Sequence, residues 1–216
     1  PRLSADYPDD QSSTAEVDLS PPRNNAAVRI LSIDQGTSGT KAIVVEDDGS
    51  VSALAEVPVH PQSPTPGAVE QDPAELLESV LSSGRRALDD AGGSVDAVAL
   101  ANQGETVLTW DPVSGRPLST ALVWQDSRAQ EVCDRLSDHR ELIHQRTGLV
   151  LDPYFSAPKM AWLRQHGATE GVVTTTDSWL VHQLTGAFVT DAATASRSLV
   201  LDVDTGNRRI SLGMKQ

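Results

Sequence analysis

Ile30-Leu-Ser-Ile-Asp34-Gln-Gly36-Thr37-Ser38-Gly39-Thr40-Lys41-Ala42-Ile-Val-Val45 places two apolar, β-type runs on either side of a short turn built from small residues and hydroxyls. A carboxylate opens the turn and a lysine closes it. Gly36 and Gly39 let the backbone bend tightly and bring amide N–H groups close to an anion. Thr37, Ser38 and Thr40 add hydroxyl donors, Lys41 adds positive charge, and Asp34 can hold a divalent cation directly or through water. Such a turn suits the phosphates of a magnesium nucleotide. An ordinary hairpin turn uses the same residue types, so the surrounding segments must decide.

The runs 28–33, 41–45 and 51–59 predict three strands, the second and third joined by the hairpin connection Glu46-Asp-Asp-Gly49-Ser50. Pro58, Pro61, Pro64 and Pro66 then interrupt regular structure. Asp72-Pro73-Ala74-Glu75 reads as a helix start, with Asp72 as cap, proline at the first helical position and Glu75 reaching back as in a capping box. Leu76, Leu77, Val80, Leu81, Ala87 and Leu88 follow at helical spacing until Gly92-Gly93. A short buried-type strand is expected over 95–101 and another over 106–110. Helices are expected over 127–137, 157–166 and 177–184, the last capped by Asp177, with a final strand over 198–203. A three-strand meander followed by helix–strand alternation predicts a mixed α/β sheet with flanking helices. Residues 1–26, rich in Pro, Ser, Asp and Asn, predict a disordered leader, with order beginning near Ala27.

Composition narrows the function. A chain of 216 residues, 38% of them hydrophobic, can bury one substantial core. No apolar run approaches the roughly 18–20 residues of a membrane span, and no basic-then-apolar signal layout stands at the N-terminus. A lone cysteine, Cys133, precludes an intrachain disulfide and suits a reducing compartment, so a cytoplasmic location is expected. Thirty acidic against 17 basic residues give a formal charge of −13, which disfavours nucleic acid and anionic membrane as partners. A small anion can still be held by a local nest of N–H groups. The sequence contains no P-loop, no dinucleotide fingerprint after the first strand, no HExxH or CxxC metal spacing and no GxSxG nucleophile elbow.

Three polar loops remain. Asn102-Gln103-Gly104-Glu105-Thr106 follows an apolar strand, where open α/β sheets place ligands, and offers groups that hydrogen-bond a polyhydroxylated molecule. Trp124-Gln125-Asp126-Ser-Arg128 offers a flat aromatic face for sugar C–H groups, and a core tryptophan fits as well. Asp152-Pro153-Tyr154-Phe155-Ser156 puts a tyrosine on a loop, able to bond a substrate hydroxyl or to anchor a core.

Eight segments in order resemble the FGGY family of carbohydrate kinases, and its glycerol-kinase branch most. They are Asp34-Gln-Gly-Thr37, Glu70-Gln-Asp-Pro73, Asn102-Gln-Gly-Glu-Thr106, Val123-Trp-Gln-Asp126, Thr147-Gly-Leu, Asp152-Pro-Tyr-Phe-Ser156, Thr176-Asp-Ser-Trp-Leu180 and Thr190-Asp-Ala-Ala-Thr-Ala-Ser-Arg197. The resemblance implies an actin-like ATPase fold with a ribonuclease H-like core over residues 27–206. It also implies ATP- and Mg²⁺-dependent phosphorylation of a polyol or sugar hydroxyl. Asp34 would help hold the metal. Thr37, Ser38, Gly39, Thr40 and Lys41 would meet the nucleotide, and Gly104, Glu105, Trp124 and Tyr154 would line the substrate pocket.

Lys41 and Gly104 each stand where the glycerol-kinase branch carries an arginine. The loss at 104 opens space and predicts a substrate larger than glycerol. The general-base aspartate of the family is expected beyond residue 216, and residues 207–216 match nothing in the family pattern, so the chain reads as an incomplete amino-terminal domain. A complementary carboxy-terminal chain or a homo-oligomer would then complete it. The alternative is a non-catalytic polyol- or protein-binding module, or the product of a truncated gene. In the kinase reading Asp34 and Tyr154 must open onto one cleft.

Overall fold

The computed structural model describes residues 27–206; the expected leader (1–26) and the tail 207–216 lie outside the described residues. The apolar runs flanking the turn form β1 (Ile30–Gln35) and β2 (Gly39–Val45), followed by β3 (Val51–Pro58). They pair antiparallel, and β5 (Ala97–Asn102) joins β1 in parallel, giving a mixed sheet ordered β3-β2-β1-β5. β4 (Glu70–Gln71), β6 (Val107–Trp110), β7 (Ala121–Leu122) and β8 (Val172–Thr175) make a second, antiparallel sheet ordered β4-β7-β6-β8. The architecture is mixed α/β, and the chain divides its strands between two sheets where the pattern predicts one.

Between β4 and β5 runs α1 (Pro73–Asp90), which lies chiefly over β3 and β2. Alternation along β1 and β2 turns Leu31, Ile33, Ala42 and Val44 to one face, where they meet Leu76, Val80 and Ala87 of the helix. Ser79 and Ser83 are buried in α1 and return their hydroxyls to the helix's own carbonyls. Trp110 and Trp179 extend this core to the second sheet. Their buried indole N–H groups are satisfied by Thr174 Oγ1 at 2.8 Å and the Gly115 carbonyl at 2.9 Å.

Asp72 caps α1 as expected, accepting from the Ala74 N–H at 2.8 Å. Glu75 does not close a capping box; its carboxylate instead meets His60 Nδ1 at 2.6 Å. The strand expected as buried, β5, is largely exposed because it ends the first sheet. The helix expected over 127–137 is shorter, α2 (Gln130–Arg135), and a separate helix, α3 (Arg140–Thr147), follows a single 3₁₀ turn. α4 (Ser156–Gln165) and α5 (Thr176–Thr185) lie where the spacing places helices. Asp177 does not cap α5: it lies inside the first turn, buried, and accepts from the Thr190 hydroxyl at 2.7 Å. No strand forms over 198–203. The preceding polar run makes α6 (Ala192–Ser196), capped by Asp191, and the chain then continues in turns.

Candidate functional site

The turn between β1 and β2 is closed by the Gly36 N–H donating to the Gly39 carbonyl at 2.9 Å. A Cβ at position 36 would sit 2.9 Å from that same oxygen, so the bend admits glycine alone without a backbone shift. The Thr37 and Ser38 N–H groups find no acceptor among the described residues. Ser38 is exposed, and Asp34 and Lys41, cross-strand partners, are exposed beside it. Lys41 lies 3.9 Å from Glu56 in a solvent-exposed pair of little energetic weight. Thr40 departs from the expectation of a hydroxyl donor at the turn. Its side chain points into the core, 2.6 Å from the Ser79 hydroxyl, so only its backbone can face a ligand.

Among the described residues no three His, Cys, Asp or Glu side chains gather as a metal cage. A lone exposed carboxylate next to free N–H groups matches how Mg²⁺ is commonly held, by one or two carboxylates with water and phosphate oxygens. The turn therefore fits a magnesium nucleotide through Asp34, the N–H groups of Thr37 and Ser38, the Ser38 hydroxyl and the Lys41 charge.

The Thr37 side chain is engaged within the protein. Its hydroxyl donates to Gln103 Oε1 at 2.9 Å and accepts from Trp124 Nε1 at 2.9 Å. Gln71 links both ends of this network, donating to the Thr37 carbonyl at 2.7 Å and accepting from Gln103 Nε2 at 2.6 Å. The turn is thus tied to the loop after β5 and to the Trp124 loop. The Trp124 ring lies with its centroid 5.3 Å from that of Tyr154. Trp124 is partly buried. Gln103 and Thr106 are buried and engaged within the protein, whereas a Cβ built at Gly104 would meet nothing within 4 Å.

Glu105 occupies the middle of a tight turn in which the Thr106 N–H donates to the Gly104 carbonyl at 2.8 Å. Its φ of 64° is rare for a side-chain-bearing residue and costs on the order of 1–3 kcal/mol. The carboxylate is nearly enclosed, and Arg197, just past α6, donates Nε to Oε1 at 2.6 Å. The same guanidinium lies over Phe155 at 5.0 Å and Tyr154 at 5.7 Å. The bond to Glu105 raises the already high Arg197 pKa, against partial burial.

Lys159 of α4 is wholly buried and points its Nζ at three successive carbonyls, those of Pro153 and Phe155 at 2.9 and 2.8 Å and that of Tyr154 between them. It fixes the loop that carries Tyr154. Burial pushes its pKa down to about 8, opposed by the nearby Glu105, Asp126 and Asp152. Asp126, fully buried, accepts from the Val69 N–H at 3.0 Å and from Arg128, which also reaches Glu70 at 2.6 Å and covers the Trp162 ring. These residues shape the loop behind Trp124. Arg197 appears in the sequence only as the end of the segment 190–197, with no role assigned, and Lys159 is not singled out at all, although a lone lysine in the apolar run Ser156-Ala-Pro-Lys-Met-Ala-Trp-Leu163 is a signal that could have marked it.

Residues 29–212 match the N-terminal domain of the FGGY family of carbohydrate kinases. The chain belongs to that family. The glycerol kinase of Methylibium petroleiphilum is 42% identical over 192 residues, covering 82% of this chain and 38% of its own length. Among solved structures, the Plasmodium falciparum glycerol kinase with ADP superposes with a TM-score of 0.76 at 30% identity, over 83% of this chain and 38% of that one. A ligand-bound xylulose kinase from Lactobacillus acidophilus shares the fold, with a TM-score of 0.77 at 19% identity over 83% of this chain and 38% of its own. This FGGY chain therefore spans about two-fifths of the length of the relatives it matches. Among its described residues no helix is long and apolar enough to cross a membrane.

Proposed function

We propose that this chain carries the substrate-side part of a kinase that transfers a phosphoryl group from ATP to a hydroxyl of a polyol or sugar. The carrying observation is Thr37, whose single hydroxyl joins the glycine turn to Gln103 and to Trp124, and through Trp124 to Tyr154. These contacts tie the turn that would meet the phosphates to the two loops that would meet the polyol, which supports one shared corner for both. Glu105 would accept from a substrate hydroxyl, and the rings of Trp124 and Tyr154 would cover its C–H faces. Mg²⁺ held near Asp34 would neutralise charge on the nucleotide phosphates. Phosphoryl transfer of this kind rests on positioning and electrostatics more than on covalent chemistry, which suits a site made of fixed hydrogen bonds.

The test is calorimetric titration of the 216-residue chain with a panel of polyols and sugars, alone and with Mg-ATP. Saturable polyol binding that weakens about tenfold or more in Glu105→Gln supports the reading, since a hydrogen bond to a charged group is worth about 1.5–3 kcal/mol. Binding of no member of the panel refutes it.

A further inference from the structure

The first sheet has two edges, and they are built differently. β3 carries Glu56 and Pro58, and its register with β2 shifts at Val44/Val45. A charge, a proline and a bulge are what native edges use to turn away another strand. β5 reads Ala97-Val-Ala-Leu-Ala-Asn102, free of charge, proline and register shift, and it pairs with β1 alone. The Asp96 N–H donates to the Arg29 carbonyl on the β1 side, so alternation turns the N–H and C=O groups of Ala97, Ala99 and Ala101 to the free edge. Ala97, Val98, Ala99 and Ala101 are all exposed.

Val98 and Leu100 share a face and line a groove between α1 and α5. Two carboxylates line the same groove, those of Asp177 and Asp191. Asn102 Nδ2 donates to Thr176 Oγ1 at 3.0 Å, which sets Asp177 at the Asn102 end of β5. Asp177 is 5% exposed; its Oδ2 accepts from Thr190, and its Oδ1 has no hydrogen-bond partner among the described residues. Among those residues neither carboxylate has an ion-pair partner, and Arg85, the cation on the α1 wall of the groove, bridges to neither.

We propose that the β5 edge takes up an extended segment of a partner protein as a fifth strand, with apolar side chains at alternate positions facing the groove and a lysine or arginine on that face directed to the Asp177 and Asp191 end. This stands apart from the polyol reading above. Strand addition draws affinity from main-chain bonds and selectivity from alternate side chains. The outward groups of three alanines supply the first, and Val98 and Leu100, two residues apart on one face, supply the second. Uncompensated carboxylates and a formal charge of −13 select a basic segment over an acidic one. A second copy of the chain would bring the same charge and the same carboxylates to the edge.

The experiment follows amide hydrogen exchange in the 216-residue chain, with light scattering for its mass, before and after adding blocked peptides. The probes are Lys-Thr-Val-Thr-Val-Thr-Gln and its reverse, Gln-Thr-Val-Thr-Val-Thr-Lys, which cover both strand directions, and the same pair with Glu for Lys. In the free monomer the Ala97, Ala99 and Ala101 amides exchange at rates near those of an unstructured chain. Saturation with one of the lysine peptides slows them about tenfold or more, and its glutamate version binds about tenfold more weakly. Val98→Asp abolishes the protection. Asp191→Asn, which keeps a capping side chain on α6, reduces the preference for lysine to about threefold or less.

Slow exchange at the three alanines in the free monomer means that residues 1–26 or 207–216 of the same chain cover the edge, and slow exchange in a dimer means that a second copy does. Either result overturns the proposal. Binding of neither lysine peptide, or equal binding of the lysine and glutamate versions, overturns it as well. Should Val98→Asp fail to fold, the lysine-to-glutamate ratio in wild type and Asp191→Asn decides alone.

Discussion

Two regions bordering β1 differ in how their groups are satisfied. Around the turn at its end, Thr37, Gln71, Gln103 and Trp124 bond one another, and the buried charges of Glu105, Asp126 and Lys159 each have partners. Along its side, a groove of about 580 Å³ runs between α1 and α5 over β1 and β5, lined by Leu31, Val80, Leu88, Val98, Leu100 and Leu184. The register pairs Leu31 with Val98 and Ile33 with Leu100, so the apolar face continues onto β5 while α1 covers mainly the other strands. Val98 is left 58% exposed. The groove is mainly apolar, with Arg85, Asp177, Thr190 and Asp191 among its lining residues. The proposed site lies in the hydrogen-bonded corner, where the bonds of Thr37, Gln71 and Gln103 fix the directions of their side chains.

Lys159 gives the largest test of that contrast. Lys159→Met strips the donor from three buried carbonyls, at about 1–3 kcal/mol each, and recovers the cost of burying an ammonium, about 3 kcal/mol for a shift from 10.5 to about 8. The expected net loss is about 3 kcal/mol near neutral pH, read by urea denaturation. The sign of the pH dependence follows from the depressed folded value. From about pH 8 to about 10.5 the unfolded chain keeps a proton that the folded chain has given up, so this group's contribution to stability rises with pH. The gap between wild type and Lys159→Met should widen between about pH 7 and about pH 9.5. A gap that closes over that range, or a variant more stable than wild type, would mean that the lysine does not hold the Tyr154 loop.

Thr37 comes next. Thr37→Val keeps the shape but removes the acceptor of Trp124 Nε1 and the donor to Gln103, leaving two enclosed polar groups unpaired for about 2 kcal/mol. Thr37→Ser retains the hydroxyl and should recover most of that. Trp124 fluorescence, taken as the difference from Trp124→Phe, should shift in Thr37→Val alone. Equal spectra for all three hydroxyl states would remove the link between turn and loop on which the single corner depends.

The extent to which this corner is readable from residues differs by kind of interaction. The glycine turn, its flanking strands and the start of α1 rest on local rules, namely alternation, tight bends and caps, and they lie where those rules place them. Strand β5 reads as buried because Val95, Val98 and Leu100 are apolar, yet edge position is a property of the whole sheet and leaves no mark on six residues. Asp177 and Glu75 look like capping residues and are drawn instead to Thr190 and His60, partners brought in by tertiary packing. Gly104, Glu105, Trp124 and Tyr154 are visible as polar or aromatic punctuation after apolar runs. Arg197 closes the last of the family-like segments, but its pairing with Glu105 lies across 92 positions and no local rule reveals it.

The smallest effect is expected in the groove, where a near-zero result is informative. Val98→Ser exchanges an apolar side chain already 58% exposed, on an edge strand whose face α1 does not cover, so the change in unfolding free energy should stay within about 0.5 kcal/mol. The same exchange at Val80, 1% exposed in the wall of the same groove, removes packing against the sheet and should cost about 2 kcal/mol or more. Chemical denaturation of the two variants side by side makes the comparison internal to one surface. If Val98→Ser costs as much as the change at Val80, that face is covered in the folded protein in solution, and the contrast between a hydrogen-bonded corner and an open groove fails at its second half.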